Sequence, residues 1–372
     1  MSQTRDAALV LSGGGINGLL LEIGFLQGLR QTSLWPRVGW IYGTSAGALT
    51  GTMAALDRMD ELERFCLELK PEETFRPNRL WQLPLTGLHD YALPETIARK
   101  LEPPERIAEQ LAAAPVEMVV CVTDVTSERP ETADHAFERT FASRTTPPDV
   151  MAQAILASAA ISALVLPVRV ADVIATDGAW VRNFPLGHAY ENPSVHEIVG
   201  FRYLSAGWNP TGESLARLKS RLERFRAVPP VKALIAELER AGERHARGEP
   251  PHLADMMGRL MRVAVARNSS IEERWAAERD ATMRELAALR RDLLSIADRP
   301  DVSEEARAAL RARLDASSFP LKHERALPVT VIRADVGPVG LDPGFRPGLT
   351  WPVEVKRAVI ERGRALAAQV AS

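Results

Sequence analysis

Ser45 stands in Gly43-Thr44-Ser45-Ala46-Gly47, a G-x-S-x-G pattern, and its surroundings say what such a serine could do. The apolar run Val38 to Tyr42 reads as a buried strand, and the small and apolar residues after Gly47 read as a helix. A serine at the tight turn between strand and helix is thrust out of the backbone, and glycines two residues away on each side leave room for that turn. The helix that follows aims its free N–H groups and positive end at whatever the hydroxyl attacks. This is the layout of a nucleophile elbow for acyl transfer, although the same five letters also occur in ordinary Gly-Ser turns.

A second glycine motif supplies the test. Gly13-Gly14-Gly15-Ile16-Asn17-Gly18 follows the five-residue strand signal Ala7 to Leu11 and precedes Leu19, Leu20, Ile23, Leu26 and Leu29 at helical spacing. Gly24 and Gly28 lie in that helix at a cost of up to about 1 kcal/mol each against alanine, which points to close packing on a neighbour. Strand, glycine loop and helix form a phosphate-cradle layout, and Gly13, Gly15 and Gly18 satisfy G-x-G-x-x-G. A dinucleotide site wants an acid at the end of the second strand to hold a ribose. Here that strand runs into Tyr42-Gly43-Thr44-Ser45, so the reading fails. If the first two strands are parallel neighbours, both loops emerge at one carboxyl edge of a sheet, and the glycine loop offers amides beside the Ser45 hydroxyl. Such amides stabilise the oxyanion of an acyl-transfer intermediate, one donor being worth about 3 kcal/mol of barrier.

A serine nucleophile needs a base. None of the seven histidines sits in a motif that singles it out. An α/β-hydrolase would want a late histidine and several strands before the elbow, whereas Ser45 follows only the second. Among carboxylates, Asp177 in Thr176-Asp177-Gly178-Ala179-Trp180 is the sharpest candidate, with Asp124 and Asp172 as rivals; Asp-Gly is also a common hairpin turn. A free aspartate, with a pKa of about 3.9, is a poor base for a hydroxyl, so the role requires burial, for which Val173, Ile174, Ala175 and Trp180 are suitable walls.

The elements that must position these groups follow in order. Helices are expected over Asp60–Leu69, Arg106–Ala114 and Asp149–Ala160, and strands over Val116–Val125, Leu164–Val173 and Ile198–Leu204. Pro71 to Pro94 reads as irregular, with Phe75, Trp81 and Leu83 as either a rim of the acyl pocket or local anchors. After Ser205 the chain turns rich in Glu, Arg, Leu and Ala, with breaks at Pro229-Pro230, Pro250-Pro251 and Pro300. Ser270-Ile271-Glu272-Glu273 reads as a capping box opening a long helix. Pro328 to Ala334 returns as a strand and Trp351 to Val370 as a closing helix. The expectation is an α/β three-layer sandwich with a mostly parallel central sheet. Its core is formed by residues 1–210, interrupted by a helical insertion over 211–327 and completed by 328–372.

The 372 residues carry ordinary hydrophobic and charged fractions, 46% and 25%, and a formal charge of −2, which gives no reason to expect nucleic acid. Cys66 and Cys121 have neither metal spacing nor a disulfide framework and suit small core positions in a reducing compartment. The N-terminal stretch reads as neither signal peptide nor membrane span, so the expectation is a cytoplasmic protein.

The three motifs, in this order, resemble the patatin-like phospholipase family. Gly13-Gly14-Gly15-Ile16-Asn17-Gly18 is similar to its G-G-G-x-x-G loop, Gly43-Thr44-Ser45-Ala46-Gly47 to its elbow, and Asp177-Gly178-Ala179 to its D-G-A/G motif. The connecting Ala157-Ser158-Ala159-Ala160-Ile161 and Val181-Arg182-Asn183-Phe184-Pro185 are also similar to family members. The resemblance implies a Ser–Asp dyad without histidine that cleaves acyl esters of lipids and needs no metal or other cofactor. By position it makes Ser45 the nucleophile, Asp177 the general base, and Gly13, Gly14 and Gly15 the oxyanion donors. Many members carry a basic residue where this chain has Asn17, so that position brings no charge of its own.

Two classes of function remain: a lipid acyl hydrolase, with a soluble-ester carboxylesterase as its near relative, and an interaction protein on a patatin-like scaffold with weak catalysis. No protein partner is indicated. Leu253 to Arg267 places Leu253, Met256, Met257, Leu260, Met261 and Ala264 on one helical face with Asp255, Arg259 and Arg262 opposite. That face either packs on the protein's own core or makes peripheral contact with a membrane surface.

Overall fold

The computed structural model describes residues 4–78, 89–126, 136–162, 164–204, 229–248, 253–316, 327–336 and 348–370, with positions 219, 220, 223 and 226. β1 (Ala7–Leu11) is buried along its whole length, and its side chains alternate between two cores. Ala7, Leu9 and Leu11 face one and Ala8 and Val10 the other, as a central strand covered on both sides must. α1 (Gly15–Leu29) leads to β2 (Val38–Thr44) and α2 (Ala46–Ala55), and α3 (Met59–Glu68) follows. β3 (Phe75–Pro77) and β4 (His89–Tyr91) form a small antiparallel pair where an irregular stretch was expected. Trp81 and Leu83 lie outside the described residues.

The middle of the chain runs α4 (Leu93–Lys100), α5 (Pro104–Ala112), β5 (Glu117–Asp124), β6 (Glu138–Ala142) and α6 (Pro148–Ser158). It continues through β7 (Val168–Val170), β8 (Val173–Asp177), the single turn α7 (Ala179–Arg182), α8 (Leu186–Glu191) and β9 (Glu197–Tyr203). Next come α9 (Pro229–Ala246), the 45-residue α10 (Leu253–Ala297) and α11 (Glu304–Asp315), before β10 (Val329–Ala334) and α12 (Val353–Leu366).

The sheet has the order β10-β9-β1-β2-β5-β8-β7, with β6 also on β5. The run from β10 to β5 is parallel throughout. Helices α1 to α6 and α12 lie over one face, and α8 with part of α10 over the other, which gives a three-layer α/β sandwich. The register explains where a site can form. Cys121 of β5 pairs with Thr44 of β2 and Thr140 of β6, while Val122 pairs with Asp177 of β8 and Arg139 of β6. Since β6 holds one flank of β5, β2 and β8 share the other, meeting head to head: Ser45 and Asp177 leave the sheet at the same point.

The glycines of α1 mark close packing, as expected. A Cβ on Gly24 would lie 1.8 Å from the Ile360 carbonyl oxygen, and one on Gly28 would lie 2.7 Å from the Ala367 Cβ. α12 also anchors α3: the buried Lys356 Nζ donates to the carbonyls of Cys66, Leu67 and Leu69 at 2.9, 3.2 and 3.1 Å. These are acceptors at a helix C-terminus, where a cation is favoured. Cys66 and Cys121 are free and buried.

Ser270 does not open a helix, because α10 runs through it without interruption from Leu253. Its hydroxyl instead donates to the Ala266 carbonyl at 2.8 Å and accepts from Arg202, and Glu273 pairs with Arg202 and Arg333. A serine and an acid three residues apart suit a cap, but tertiary partners have claimed both.

Candidate active site

The elbow is built as its residue types require. Ser45 has φ 54° and ψ −117°, a strained conformation for a residue with a side chain. Glycine is obligatory beside it: a Cβ on Gly43 would lie 2.2 Å from the Gly47 carbonyl oxygen, and one on Gly47 would lie 2.4 Å from that of Leu11. The Ser45 amide donates to Ser158 Oγ at 2.9 Å, and that hydroxyl donates onward to the Cys121 carbonyl at 2.7 Å. Sequence reasoning left Ser158 without a role; its only signal was a place in text similar to a family.

Asp177 is the last residue of β8, and its Oδ2 accepts the Ser45 hydroxyl at 2.8 Å. Its Oδ1 accepts the Ala179 amide at 2.9 Å. Gly178 is αR and opens α7, so Asp-Gly here is a strand-to-helix turn and not a hairpin. Burial pushes the Asp177 carboxyl up to about 6, against the opposing pull of the Ala179 and Ser45 hydrogen bonds. The rival acids are elsewhere engaged. Asp124 Oδ1 accepts from the Thr126 amide and hydroxyl, and Asp172 pairs with Arg139. Among the described residues no histidine bonds to Ser45 or Asp177.

The glycine loop lies against the elbow, but not all of it is available. The Gly13 amide donates to the Asn183 carbonyl at 2.9 Å, so Gly13 anchors the loop and is not an oxyanion donor as expected. Its contacts are tight: a Cβ there would lie 2.3 Å from Asn183 Oδ1 and 3.1 Å from Ser45 Cβ. Gly14 and Gly15 line the same cavity as Ser45, and among the described residues their amides have no protein acceptor. Gly18 packs on Tyr203, and Asn17 accepts the Gly348 amide at 3.0 Å, tying the loop to the C-terminal part of the chain.

The cavity that opens at Ser45 has a volume of about 1050 Å³ and a mostly apolar wall. It passes Leu49 and Met53 of α2 and reaches Phe65 of α3, Ile97 of α4 and Ile107 of α5. Phe75 belongs to this wall, as do Arg262 and Val265 of α10. Behind the elbow, Cys121 Sγ, Glu138 and His188 bring ligand atoms within 4.8 Å of one another. Arg182 Nε donates to the same Glu138 oxygen at 2.7 Å, so a guanidinium already occupies the place where a cation would bind.

Fold and site together define a three-layer α/β protein with a hydrogen-bonded serine–aspartate pair at the carboxyl edge of its sheet. Residues 9–190 of the chain match the family model of patatin-like phospholipases. Among solved structures it is similar to VipD from Legionella pneumophila, at 16% identity over 60% of this chain and with a TM-score of 0.34. The match spans 56% of the VipD chain. It is also similar to full-length ExoU from the type III secretion system of Pseudomonas aeruginosa, solved in complex with SpcU. There the identity is 15%, the coverage 96% of this chain and 77% of the other, and the TM-score 0.28. Likenesses this low define neither substrate nor partner. No curated protein matches the chain in sequence. Among the described residues no helix is long and apolar enough to cross a membrane.

Proposed function

We propose that the protein is a serine lipid acyl hydrolase working through a Ser45–Asp177 dyad. The observation that carries this reading is the 2.8 Å hydrogen bond from Ser45 Oγ to a buried carboxylate, made at the mouth of an apolar cavity of about 1050 Å³. Ser45 Oγ attacks the acyl carbonyl while its proton passes to Asp177 Oδ2. The oxyanion is received by the Gly14 and Gly15 amides. As the tetrahedral species collapses, the ester C–O bond breaks and Asp177 returns the proton to the leaving alcohol. Water then attacks the acyl-serine, giving its proton to Asp177, which reprotonates Ser45 as the fatty acid leaves. A carboxyl raised to about 6 is ionised at neutral pH yet basic enough for both transfers.

The cavity supports a long acyl chain over a short soluble ester, being at the upper end of what small-ligand pockets offer and walled by α2 to α5. The lipid is met at an aggregated surface through the N-terminal half of α10. There Met256, Leu260 and Val263, exposed at helical spacing, flank the stretch whose Arg262 and Val265 line the cavity. The test is a panel of phospholipids, lysophospholipids, acylglycerols and short esters, given to the wild type and to Ser45→Ala alongside an activated-serine probe. Hydrolysis and labelling are expected only in the wild type, with long acyl chains preferred. Labelling that persists in Ser45→Ala sinks the nucleophile assignment, and a wild type that neither labels nor hydrolyses favours the scaffold reading.

A further inference from the structure

The loop after Asp177 is held from outside the catalytic strands. Asn268, within α10, commits both ends of its side-chain amide to the main chain of that loop. Its Nδ2 donates to the Ala179 carbonyl at 2.7 Å and to the Trp180 carbonyl at 3.3 Å, and its Oδ1 accepts the Asn183 amide at 3.2 Å. α7 is a single turn, too short to satisfy these groups internally, so a side chain from elsewhere does it. The neighbouring Ser269, also buried, accepts from Asn183 Nδ2 at 3.0 Å and donates to the Val265 carbonyl at 3.1 Å. Asn183 in turn takes the Gly13 amide on its carbonyl. One short chain of hydrogen bonds therefore runs from α10 through Asn183 to the glycine loop. A second runs from α10 to Ala179, the residue whose amide Asp177 itself accepts.

We propose that Asn268 and Ser269 are positioning residues for acyl transfer, with α10 completing the active site by fixing the Asp177 loop against the Gly13–Gly15 loop. The inference rests on the dyad reading above. A displacement of Ala179 moves the carboxylate, and a misplacement of about 1 Å at a reacting group can cost about 100-fold in rate. The helix does not depend on this contact to stay in place. Glu272 binds Arg182 and accepts the Gly187 amide at 2.8 Å, Glu273 pairs with Arg202, and Ala276 is buried in the core. Removing Asn268 thus loosens the loop and leaves the helix docked.

The experiment uses the full chain and a p-nitrophenyl ester, with kcat, KM and Tm measured for Asn268→Ala, Ser269→Ala, Ser269→Thr and Ser45→Ala. Asn268→Ala is expected to lose about 10- to 100-fold in kcat with KM changed less than about threefold and Tm close to wild type. Ser269→Ala should lose less, and Ser269→Thr, which keeps the hydroxyl, should recover. A kcat within about twofold of wild type in Asn268→Ala overturns the inference, as does a Ser269→Thr as slow as Ser269→Ala. If Asn268→Ala does not fold, the two Ser269 variants decide alone. An inactive Ser45→Ala beside a fully active Asn268→Ala refutes only the positioning role. An active Ser45→Ala removes the dyad reading, and this inference with it.

Discussion

The two halves of the site are held in place by different means. On the Ser45 side the backbone does the work: a strand, a residue forced to φ 54°, two glycines in close contact with carbonyl oxygens, and one buried hydroxyl under the serine amide. On the Asp177 side the backbone is a strand end and a single helical turn, and its geometry is set by side chains from α10. The first half is a backbone motif of residues 43–47 braced by Leu11 and Ser158; the second has its backbone set by side chains some 90 residues away, as Glu272 is from Arg182. A nucleophile must be held against strain, which neighbouring residues can do, whereas the base needs a dry, fixed loop, which takes tertiary cover.

The comparison breaks most sharply at Asp177. Asp177→Asn keeps the shape but cannot take the serine proton, so kcat should fall about 10³- to 10⁴-fold. Asp124→Asn, whose carboxylate accepts from Thr126 and not from Ser45, should keep measurable turnover. Stability should move the other way. The folded pKa of about 6 lies above the ordinary 3.8, so folding favours the protonated acid, and the ionised form costs stability as pH rises through 6. Asp177→Asn removes that cost, on the order of 2–3 kcal/mol at most. It should melt higher than wild type at pH 8, with the margin vanishing below pH about 4. The same shift predicts that wild-type kcat falls as pH drops below about 6. An Asp177→Asn at wild-type rate, or a histidine substitution as damaging as Ser45→Ala, defeats the dyad.

How much of this was legible follows the same division. β1, the glycine loop, β2 and the elbow could be read because each carries its constraint in a short motif: Gly43 must clear Gly47 four residues on, and the contact of Gly47 with Leu11 adds only the neighbouring strand. Asp177 could be nominated from its Asp-Gly, but only the resemblance to a family separated it from Asp124, since burial and the Ser45 bond arise only when β2 and β8 meet on β5. Asn268 gave no signal, being a polar residue within an ordinary helical run. Ser270 and Glu273 gave a false one, because Arg202 and Arg333 are remote in sequence. The Gly13 amide looked like a donor to substrate until Asn183 was seen to occupy it.

Ser158 sharpens the contrast. Ser158→Ala removes the acceptor of the Ser45 amide and leaves that buried N–H unpaired, a loss of about 1–3 kcal/mol. Because the same bond holds the strained elbow, Tm and kcat should fall together, kcat by about tenfold. On the Asp177 side the Asn268 variant should lower kcat with little change in Tm. If Ser158→Ala leaves Tm unchanged, the backbone of the elbow is self-sufficient and the hydroxyl is incidental.

The smallest effect concerns the outer end of α10, where the helix that steadies Asp177 presents Met256, Leu260 and Val263 to solvent. The side chains of Leu253, Met257 and Met261 lie outside the described ones, so Leu260, 53% exposed, is the position to test. If this face packed on the protein's own core, a charge there would be buried unpaired and would lower stability along with every activity. On the interfacial reading the face is dry only when a lipid surface covers it. Leu260→Glu then leaves Tm and hydrolysis of a p-nitrophenyl ester unchanged, since Leu260 is exposed and does not line the cavity. Flotation with anionic liposomes and turnover of aggregated phospholipid should drop by about three- to tenfold, the loss of one exposed apolar side chain from an interfacial helix. Equal losses on both substrates would place the outer half of α10 with the positioning half, making the whole helix part of the catalytic scaffold. An unchanged liposome assay would remove this face from lipid contact.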